Sequence, residues 1–303
     1  MNEQRVIGVD LGGTKILAGI VDRKGEVARR HERPTPVETQ EALLTGIDEA
    51  IEELLDGNVA AIGLGVPSTI DQRSGRAISS VNIPLSNLDL RDRMHTRFGL
   101  PVAIENDANA ACIAEWKIGA GRGTSELVML TLGTGVGGGL VLGGKPYRGA
   151  TGAAAELGHM VLVHDGPPCQ GACTGRGHLE ALCSGHAASE AAREAFGPAA
   201  DAHRLIRLAH EGDKIALGIL DDLGRKLGSA IGTLVNLFNP ERVVIGGGFG
   251  AAAGEYVVGP AREVTCRESL SPGRELVEIV PAELGTASGL IGAGMVAFEA
   301  LDA

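Results

Sequence analysis

Two histidines and two cysteines lie within a short segment of the sequence, at a spacing that suits a metal ion. Cys169, Cys173 and His178 form a C-x3-C-x4-H pattern, and His159 stands ten residues before the first cysteine. Two thiolates and two imidazoles make a complete tetrahedral set for zinc, and four protein ligands leave no open coordination position. The pattern therefore predicts a structural zinc site rather than a group of unrelated core cysteines.

The three remaining cysteines have simpler interpretations. Cys183 follows soon after His178 and is the alternative fourth ligand, although its place behind a short helical segment favours packing in the core. Cys112 and Cys266 stand alone, and a lone cysteine usually behaves as a small buried apolar side chain. We therefore expect both of these to be buried.

A run of acidic and amide residues offers a second kind of chemistry. Glu105, Asn106 and Asp107 follow a short apolar strand at residues 102–104 and precede an alanine-rich helix. A carboxylate at such a junction can cap the helix. It can also act as the base that accepts the proton of a hydroxyl group attacking a γ-phosphoryl group. The spacing alone leaves both functions open.

Glycines follow apolar strands at three places, residues 12–13, 133–139 and 246–248. Glycine lets backbone N–H groups approach an anion closely, which suits phosphate binding, but each cluster alone also fits a tight turn. The cluster at 133–139 runs into a strand instead of the helix of a dinucleotide-binding fold, and the sequence contains no P-loop motif. Hairpin turns that hold phosphates are typical of the actin-like sugar kinases and heat-shock ATPases.

The elements that must position these residues repeat once along the chain. Shifting the first apolar–glycine–apolar segment by 121 positions aligns Asp10 with Thr131 and Gly12 with Gly133. Two strand–turn–strand units indicate a duplicated architecture with two related lobes. Strands alternate with helices elsewhere, which makes α/β the fold class. The clearest further segments are strands at 60–66, 102–104 and 243–245, and helices at 39–55, within 185–237 and at 287–301.

The lobes are assigned from the same pattern. Residues 1–118, joined by a C-terminal helix at about 288–303, make a smaller lobe with the first glycine turn and Asp107. Residues 119–287 make a larger lobe with the second and third glycine clusters and the zinc segment. A hinge is expected near residues 119–123, where glycines cluster.

Composition narrows the class of partner. The 303 residues carry a formal charge of −11 and include 46 Gly but only 5 Phe, 1 Trp and 2 Tyr. An acidic chain with few aromatic rings is unsuited to nucleic acid or to an anionic membrane surface. No apolar stretch reaches the roughly 18 residues of a membrane helix, and the N-terminus does not read as a signal peptide, so a cytoplasmic protein is expected.

Taken together, these residues resemble the ROK family of sugar kinases and sugar-responsive repressors. The matching segments are DLGGTK at 10–15, ENDAN at 105–109, GTGVGGG at 133–139, ELGH at 156–159, the Cys/His segment ending in LE at 179–180, and VIGGG at 244–248. The resemblance implies an actin-like, ribonuclease H-like fold of two lobes, with ATP and a hexose meeting in the cleft. The implied reaction is phosphorylation of the 6-hydroxyl of the sugar, with Asp107 as general base.

The resemblance also implies roles for individual residues. The sugar hydroxyls would be bound by Asn106, Glu156, His159 and Glu180, with Asn82 as a weaker candidate. The phosphates would be held by Gly12, Gly13, Thr14, Lys15, Gly133, Thr134 and Gly135, with Asp10 near Mg²⁺ and Gly247 and Gly248 facing the adenosine. His159 would bind zinc through one ring nitrogen and the sugar through the other, so that the metal orients a substrate ligand.

Two departures from the family pattern affect these expectations. The family's zinc segment commonly reads C-x-C-x4-C. Here the first cysteine stands two residues earlier, and His178 replaces the last cysteine. Because imidazole is a competent zinc ligand, the zinc site is still expected to form. Ser68 stands where the family often has a further glycine.

The ELGH segment lacks the His-Pro lead-in of the family's fructokinases, which favours glucose as the substrate. Mannose and N-acetyl hexosamines stay open as substrates, and polyphosphate and other nucleotides stay open as phosphoryl donors.

Two functions of other classes compete with the kinase. Family repressors carry an N-terminal DNA-binding module, for which the nine residues before Asp10 leave no room. A dinucleotide-dependent oxidoreductase would need a helix after a glycine loop. The family suggests a homodimer or a tetramer.

Overall fold

The computed structural model describes residues 4–80 and 82–302. The strands, in chain order, are β1 (Arg5–Leu11), β2 (Lys15–Asp22), β3 (Val27–Pro34), β4 (Val59–Val66), β5 (Ser68–Asp71), β6 (Arg76–Ser80), β7 (Ser86–Leu88), β8 (Val102–Asn106), β9 (Leu127–Leu132), β10 (Val136–Leu142), β11 (Lys145–Pro146), β12 (Arg242–Gly246) and β13 (Glu278–Pro281). The α-helices are α1 (Gln40–Glu52), α2 (Leu90–Phe98), α3 (Asp107–Ile118), α4 (Leu179–Leu182), α5 (Gly185–Phe196), α6 (Ala202–His210), α7 (Lys214–Phe238), α8 (Gly248–Ala253), α9 (Glu255–Glu268), α10 (Gly273–Leu276) and α11 (Ser288–Asp302). Short 3₁₀ turns occur at Leu157–His159 and Gly285–Ala287.

The chain divides into two compact units. The first contains residues up to 122 together with 146–155 and 286 onward, and the second contains 123–145 and 156–285. The sequence-based division differs mainly in residues 146–155, which it assigns to the larger lobe. These residues belong to the first unit because they are hydrogen-bonded to it. For example, Gln72 N–H donates to the Thr151 carbonyl at 2.9 Å. The assignment of functions to the two predicted lobes stays a prediction.

The first unit is built on a mixed sheet with the strand order β3-β2-β1-β4-β8. β1 pairs antiparallel with β2 and parallel with β4, which pairs parallel with β8. Helix α1 buries Leu43, Ile47 and Ile51 against one face, and α11 packs on β1, β4 and α3. A smaller antiparallel sheet, β5-β6-β7, completes this unit. The carboxyl ends of β1, β4 and β8 therefore lie along one edge of the main sheet.

The second unit repeats that topology. Its sheet has the order β11-β10-β9-β12-β13, with β9 antiparallel to β10 and parallel to β12. In both hairpins the turn is closed by its first glycine, since Gly12 N–H donates to the Lys15 carbonyl and Gly133 N–H donates to the Gly135 carbonyl, each at 2.9 Å. The duplicated strand–turn–strand units predicted from the 121-residue shift are confirmed, although the second turn is one residue shorter.

The helical predictions agree with the structure to within a few residues. The Thr39 side chain accepts a hydrogen bond from Ala42 N–H and so begins α1, and the 185–237 region forms α5, α6 and α7, with breaks at residues 197–201 and 211–213. The closing helix is α11. The expectation that Cys266 is buried is wrong. Cys112 and Cys183 are buried, but Cys266 is exposed, because α9 packs on α7 through Ala261 and Val264, and position 266 lies off that stripe.

Candidate active site and metal centre

The junction of β8 and α3 resolves which side chain caps the helix. Asn106 Oδ1 accepts hydrogen bonds from the N–H groups of Ala108 and Asn109, at 3.0 and 3.1 Å. Asp107 is the first residue of α3 and is half-buried, with Oδ1 2.9 Å from Ala108 N. Because Asn106 supplies the cap, Asp107 is not needed to cap the helix. The negative charge of a carboxylate at a helix N-terminus is stabilised by the helix dipole.

A second carboxylate lies in the electrostatic field of Asp107. Asp10 is the last residue but one of β1, and its pKa is raised to about 7 by burial and by the nearby charge of Asp107, while Lys15 lowers it. Two carboxylates that oppose each other's ionisation form a site that a divalent cation would stabilise, and Mg²⁺ prefers such oxygen ligands. The donor set therefore fits the magnesium role assigned to Asp10.

The first glycine turn is anchored on the loop that follows β3. The Thr35 hydroxyl donates to the Gly12 carbonyl at 2.7 Å, and Thr35 N–H donates to the Thr14 carbonyl at 3.0 Å. A Cβ on Gly13 would lie 3.4 Å from the Cβ of Asn82, which brings this weaker sugar candidate beside the turn. Lys15 Nζ lies 3.0 Å from Glu32 Oε2, and this exposed pair contributes little to stability.

The departure at Ser68 has a local explanation. The Ser68 side chain is buried, and its hydroxyl donates to the Ser79 carbonyl at 2.7 Å in the β5–β6 pair. The Ser68 carbonyl in turn lies 3.5 Å from Asn106 Nδ2. The hydroxyl is therefore used within the small sheet, and the backbone of this segment faces the β8–α3 junction.

The second glycine turn meets the start of α5. Gly185 N–H donates to the Gly133 carbonyl at 2.8 Å, and His186 N–H donates to the Thr134 carbonyl at 3.1 Å. Glu180 Oε2 accepts from Val136 N–H at 2.8 Å, and a Cβ on Gly135 would overlap that oxygen. The turn thus needs glycine at 135 because a carboxylate approaches its backbone closely.

The third cluster also lies against this turn's strand. Gly247 has φ +82°, and a Cβ there would overlap the backbone of Leu132 at the end of β9. Gly248 begins α8, and the space around a Cβ at that position is open to 4 Å. Gly247 is therefore fixed by packing, whereas Gly248 leaves room for a ligand.

The predicted sugar residues of the second unit form one electrostatic group. Desolvation raises the pKa of Glu156, the neighbouring imidazole of His159 lowers it and Glu180 raises it further. Glu156 and His159 are both exposed; Glu156 precedes the 3₁₀ turn Leu157–His159 and His159 ends it. Two carboxylates and a neighbouring imidazole offer two acceptors and one variable donor, a set that suits several hydroxyl groups.

The four predicted zinc ligands converge. Their ligand atoms all lie within 4.8 Å of one another. His159 Nδ1 is 3.2 Å from His178 Nδ1 and 3.8 Å from Cys169 Sγ, and Cys173 Sγ is 3.6 Å from His178 Nδ1. Bonds of about 2.1 Å to nitrogen and 2.3 Å to sulfur would place tetrahedral ligand atoms about 3.4 to 3.8 Å apart. These distances fit a zinc ion.

Cys183 is not a member of this group among the residues that the structure describes. It is fully buried at the end of α4, and burial raises the pKa of its thiol to about 12. Of the two candidates for the fourth ligand, His178 is the one that lies in the group. His159 Nδ1 is the ring nitrogen that lies in the group of candidate metal ligands. Its other ring nitrogen, Nε2, points away from that group.

Sequence reasoning missed two contacts of these site residues. Glu180 bonds to Val136, and the buried carboxylate of Glu105 bonds to Arg148, across separations of 44 and 43 residues. Neither glutamate–partner spacing follows a motif, so only the sheet topology brings the groups together.

No helix within residues 4–80 and 82–302 is both long and apolar enough to cross a membrane.

Comparison with known proteins agrees with the fold and the motifs. The family model described as ROK family matches residues 6–300. A glucokinase of Thermotoga maritima is 38% identical, with 99% of each chain covered. The solved ROK family glucokinase of Streptomyces griseus, in complex with glucose and AMPPNP, is 34% identical with a TM-score of 0.86, covering 97% of this chain and 99% of that one.

A third relative extends the comparison. The ROK hexokinase of Thermus thermophilus is 37% identical with a TM-score of 0.84, covering 98% of this chain and 99% of its own. The predicted α/β class with the actin-like, duplicated architecture is confirmed. With a family model that matches nearly every residue and relatives that match end to end, the chain belongs to the ROK family.

Proposed function

We propose that the chain is an ATP-dependent glucokinase, which transfers the γ-phosphoryl group of ATP to the 6-hydroxyl of glucose. The observation that carries this is the end-to-end similarity to the Streptomyces griseus glucokinase that binds glucose and an ATP analogue. The residue types that such a reaction needs are present in the expected segments, and the geometry of each unit agrees with their roles.

Asp107 is the general base. As the bond between sugar O6 and the γ-phosphorus forms and the bond to the bridging oxygen of ADP breaks, the O6 proton passes to the Asp107 carboxylate. Its half-buried place at the start of α3, beside the Asn106 cap, supports this role, because a capped helix end holds the carboxylate in one position.

The sugar hydroxyls are bound by carboxylates, an amide and an imidazole. Glu156, His159, Glu180 and Asn106 are the proposed binders, and Asn82 is a further candidate. Zinc would be held by His159, Cys169, Cys173 and His178, and would fix the orientation of the His159 ring toward the substrate. In this arrangement Glu180 has a second function, because its Oε2 accepts from the N–H of Val136, the residue that follows the second glycine turn.

The phosphates are bound by the two glycine turns. Backbone N–H groups and the Thr14, Lys15 and Thr134 side chains supply donors at residues 12–15 and 133–135. Mg²⁺, when bound near Asp10, neutralises phosphate charge. The adenosine lies at Gly247 and Gly248, where the structure leaves open space beside Gly248.

A phosphorylation panel tests the proposal. Glucose, mannose, fructose, N-acetylglucosamine and N-acetylmannosamine are offered with ATP, and glucose with other nucleotides and polyphosphate. We expect kcat/KM for glucose with ATP to exceed every other pair by at least about tenfold, the discrimination expected of a site that pairs each hydroxyl. A higher value for another sugar would reassign the substrate, and phosphorylation of none would reject the kinase.

The rival functions have their own readouts. Binding of glucose without turnover would favour a sugar sensor, and production of NADH would favour an oxidoreductase. We further expect a cytoplasmic homodimer, for which light scattering would give twice the 31.1 kDa chain mass.

A further inference from the structure

An ion pair between the buried carboxylate of Glu105 and the half-buried guanidinium of Arg148 lies next to the β8–α3 junction. Glu105, the last residue before Asn106, has a fully buried side chain, and its Oε2 accepts from Arg148 Nε at 2.5 Å. Arg148 Nη2 also lies 2.9 Å from Glu299 Oε2 on α11. One guanidinium therefore joins β8 to α11, and both contacts lie within the first unit.

The other carboxylate oxygen of Glu105 acts on the backbone of the site. Glu105 Oε1 accepts from Asn106 N–H at 3.0 Å and from Gln72 Nε2 at 3.2 Å. The bond to Asn106 N–H fixes the peptide unit that leads from the strand into the helix. Asn106 in turn caps α3 through Ala108 and Asn109, so Glu105 is hydrogen-bonded to the residue at which the helix begins.

The loop that carries Arg148 is itself held on the first unit. Arg73 Nη2 donates to the Ala150 carbonyl at 2.9 Å, and Gln72 N–H donates to the Thr151 carbonyl at 2.9 Å. Gln72 thus touches both the loop and Glu105. Arg148 therefore reaches Glu105 from a segment that is itself hydrogen-bonded to the first unit.

We propose that Arg148 is a positioning residue for phosphoryl transfer, which holds Asn106 and Asp107 in place by binding the Glu105 carboxylate. The inference rests on the proposed role of Asp107 as base. A fork-shaped guanidinium that binds two carboxylates sets distance and angle together, which a single ammonium cannot do. A displacement of about 1 Å at the reacting groups lowers turnover by about 10²-fold.

The test separates positioning from folding by changing both members of the pair. Arg148→Met alone leaves the Glu105 charge buried without this partner and risks unfolding. The double variant Arg148→Met/Glu105→Gln removes both charges, so the fold is expected to survive. We expect its kcat to fall by about 10²-fold with the KM for ATP unchanged, since the phosphates are bound by other segments. Arg148→Lys, which keeps the charge without the fork, should lose about tenfold.

A matched pair in the same unit serves as control. Arg93 binds Asp48 through both oxygens at 2.5 and 2.6 Å, between α2 and α1 and away from the junction. Arg93→Met/Asp48→Asn makes the same change of charge, and we expect a similar loss of thermal stability with kcat within twofold of the parent. Equal kcat losses in both double variants, or a folded Arg148→Met/Glu105→Gln protein with parental kcat, would overturn the proposal.

A second readout does not depend on activity. Amide hydrogen exchange of Ala108 and Asn109, without substrate, should accelerate at least tenfold in Arg148→Met/Glu105→Gln and stay unchanged in the control, because Asn106 holds those two N–H groups. Unchanged exchange would contradict the proposal. If the parent phosphorylates no hexose, the proposed function fails while this exchange measurement still decides whether Arg148 fixes the junction.

Discussion

At the scale of single residues, the charges of Asp10 and Asp107 oppose each other within the first unit. Burial and the charge of Asp107 raise the pKa of Asp10 to about 7, against an ordinary value of 3.8. Ionised Asp10 is therefore disfavoured in the folded chain unless a cation is present. A carboxylate whose ionisation is opposed in this way is typical of a functional site, which supports the proposal that Asp10 lies near Mg²⁺.

Asp10→Asn should stabilise the magnesium-free protein, and more so at high pH. A raised folded pKa means that the stability of the parent is complete below about pH 4 and falls as pH rises to about 7, because only the unfolded chain ionises freely in that range. The gain in the free energy of unfolding should be larger by roughly 2 kcal/mol at pH 8 than at pH 5. Denaturant titration at the two pH values measures it, and an equal gain at both would contradict the assignment.

At the scale of elements, the zinc knuckle (residues 159–180) does more than hold a metal. Gln170, within it, donates to the Glu180 carbonyl at 3.2 Å and to the Ser184 hydroxyl at 2.9 Å, and Ser184 caps α5. Glu180 Oε2 in turn accepts from Val136 N–H, directly after the second glycine turn. The knuckle therefore supports both the proposed sugar residues and the second glycine turn.

Elemental analysis should find about one zinc ion per chain, because four candidate ligand atoms lie within 4.8 Å of one another. His178→Ala should lose most of the metal and lower the melting temperature. Cys183→Ala is the matched control: its thiol is buried outside the group, so zinc content should stay at the parental level. Retention of zinc by His178→Ala together with its loss from Cys183→Ala would reverse the ligand assignment.

Gly135→Ala should weaken ATP binding. A Cβ there overlaps Glu180 Oε2, so the bond from Val136 N–H must open and the turn must move. We expect the KM for ATP to rise about tenfold, the effect of losing one to two kcal/mol of binding. Gly218→Ala, on α7 with open space around its Cβ, should leave kinetics unchanged and stabilise the helix slightly. The same KM in both variants would show that the turn does not bind ATP.

At the scale of the whole molecule, the sequence predicted what is local or repeated. The two hairpins follow from one repeated pattern, and the metal ligands lie close together along the chain, so neither needed knowledge of the fold. The bonds from Arg148 to Glu105 and from Glu180 to Val136 join residues more than 40 positions apart. They depend on strand order and register, which no spacing in the sequence specifies. The exposure of Cys266 was missed for the same reason, because it depends on which face of α9 meets α7.

Phosphoryl transfer to glucose by the intact protein, compared with Asp107→Asn, tests the central claim most directly. The amide keeps the shape of the carboxylate but cannot take the O6 proton, so general-base catalysis worth about 10²- to 10⁴-fold is lost. We predict formation of glucose 6-phosphate from ATP by the parent, and a kcat reduced by about 10³-fold in the variant, with glucose affinity by calorimetry within threefold. Parental turnover in Asp107→Asn would contradict the account.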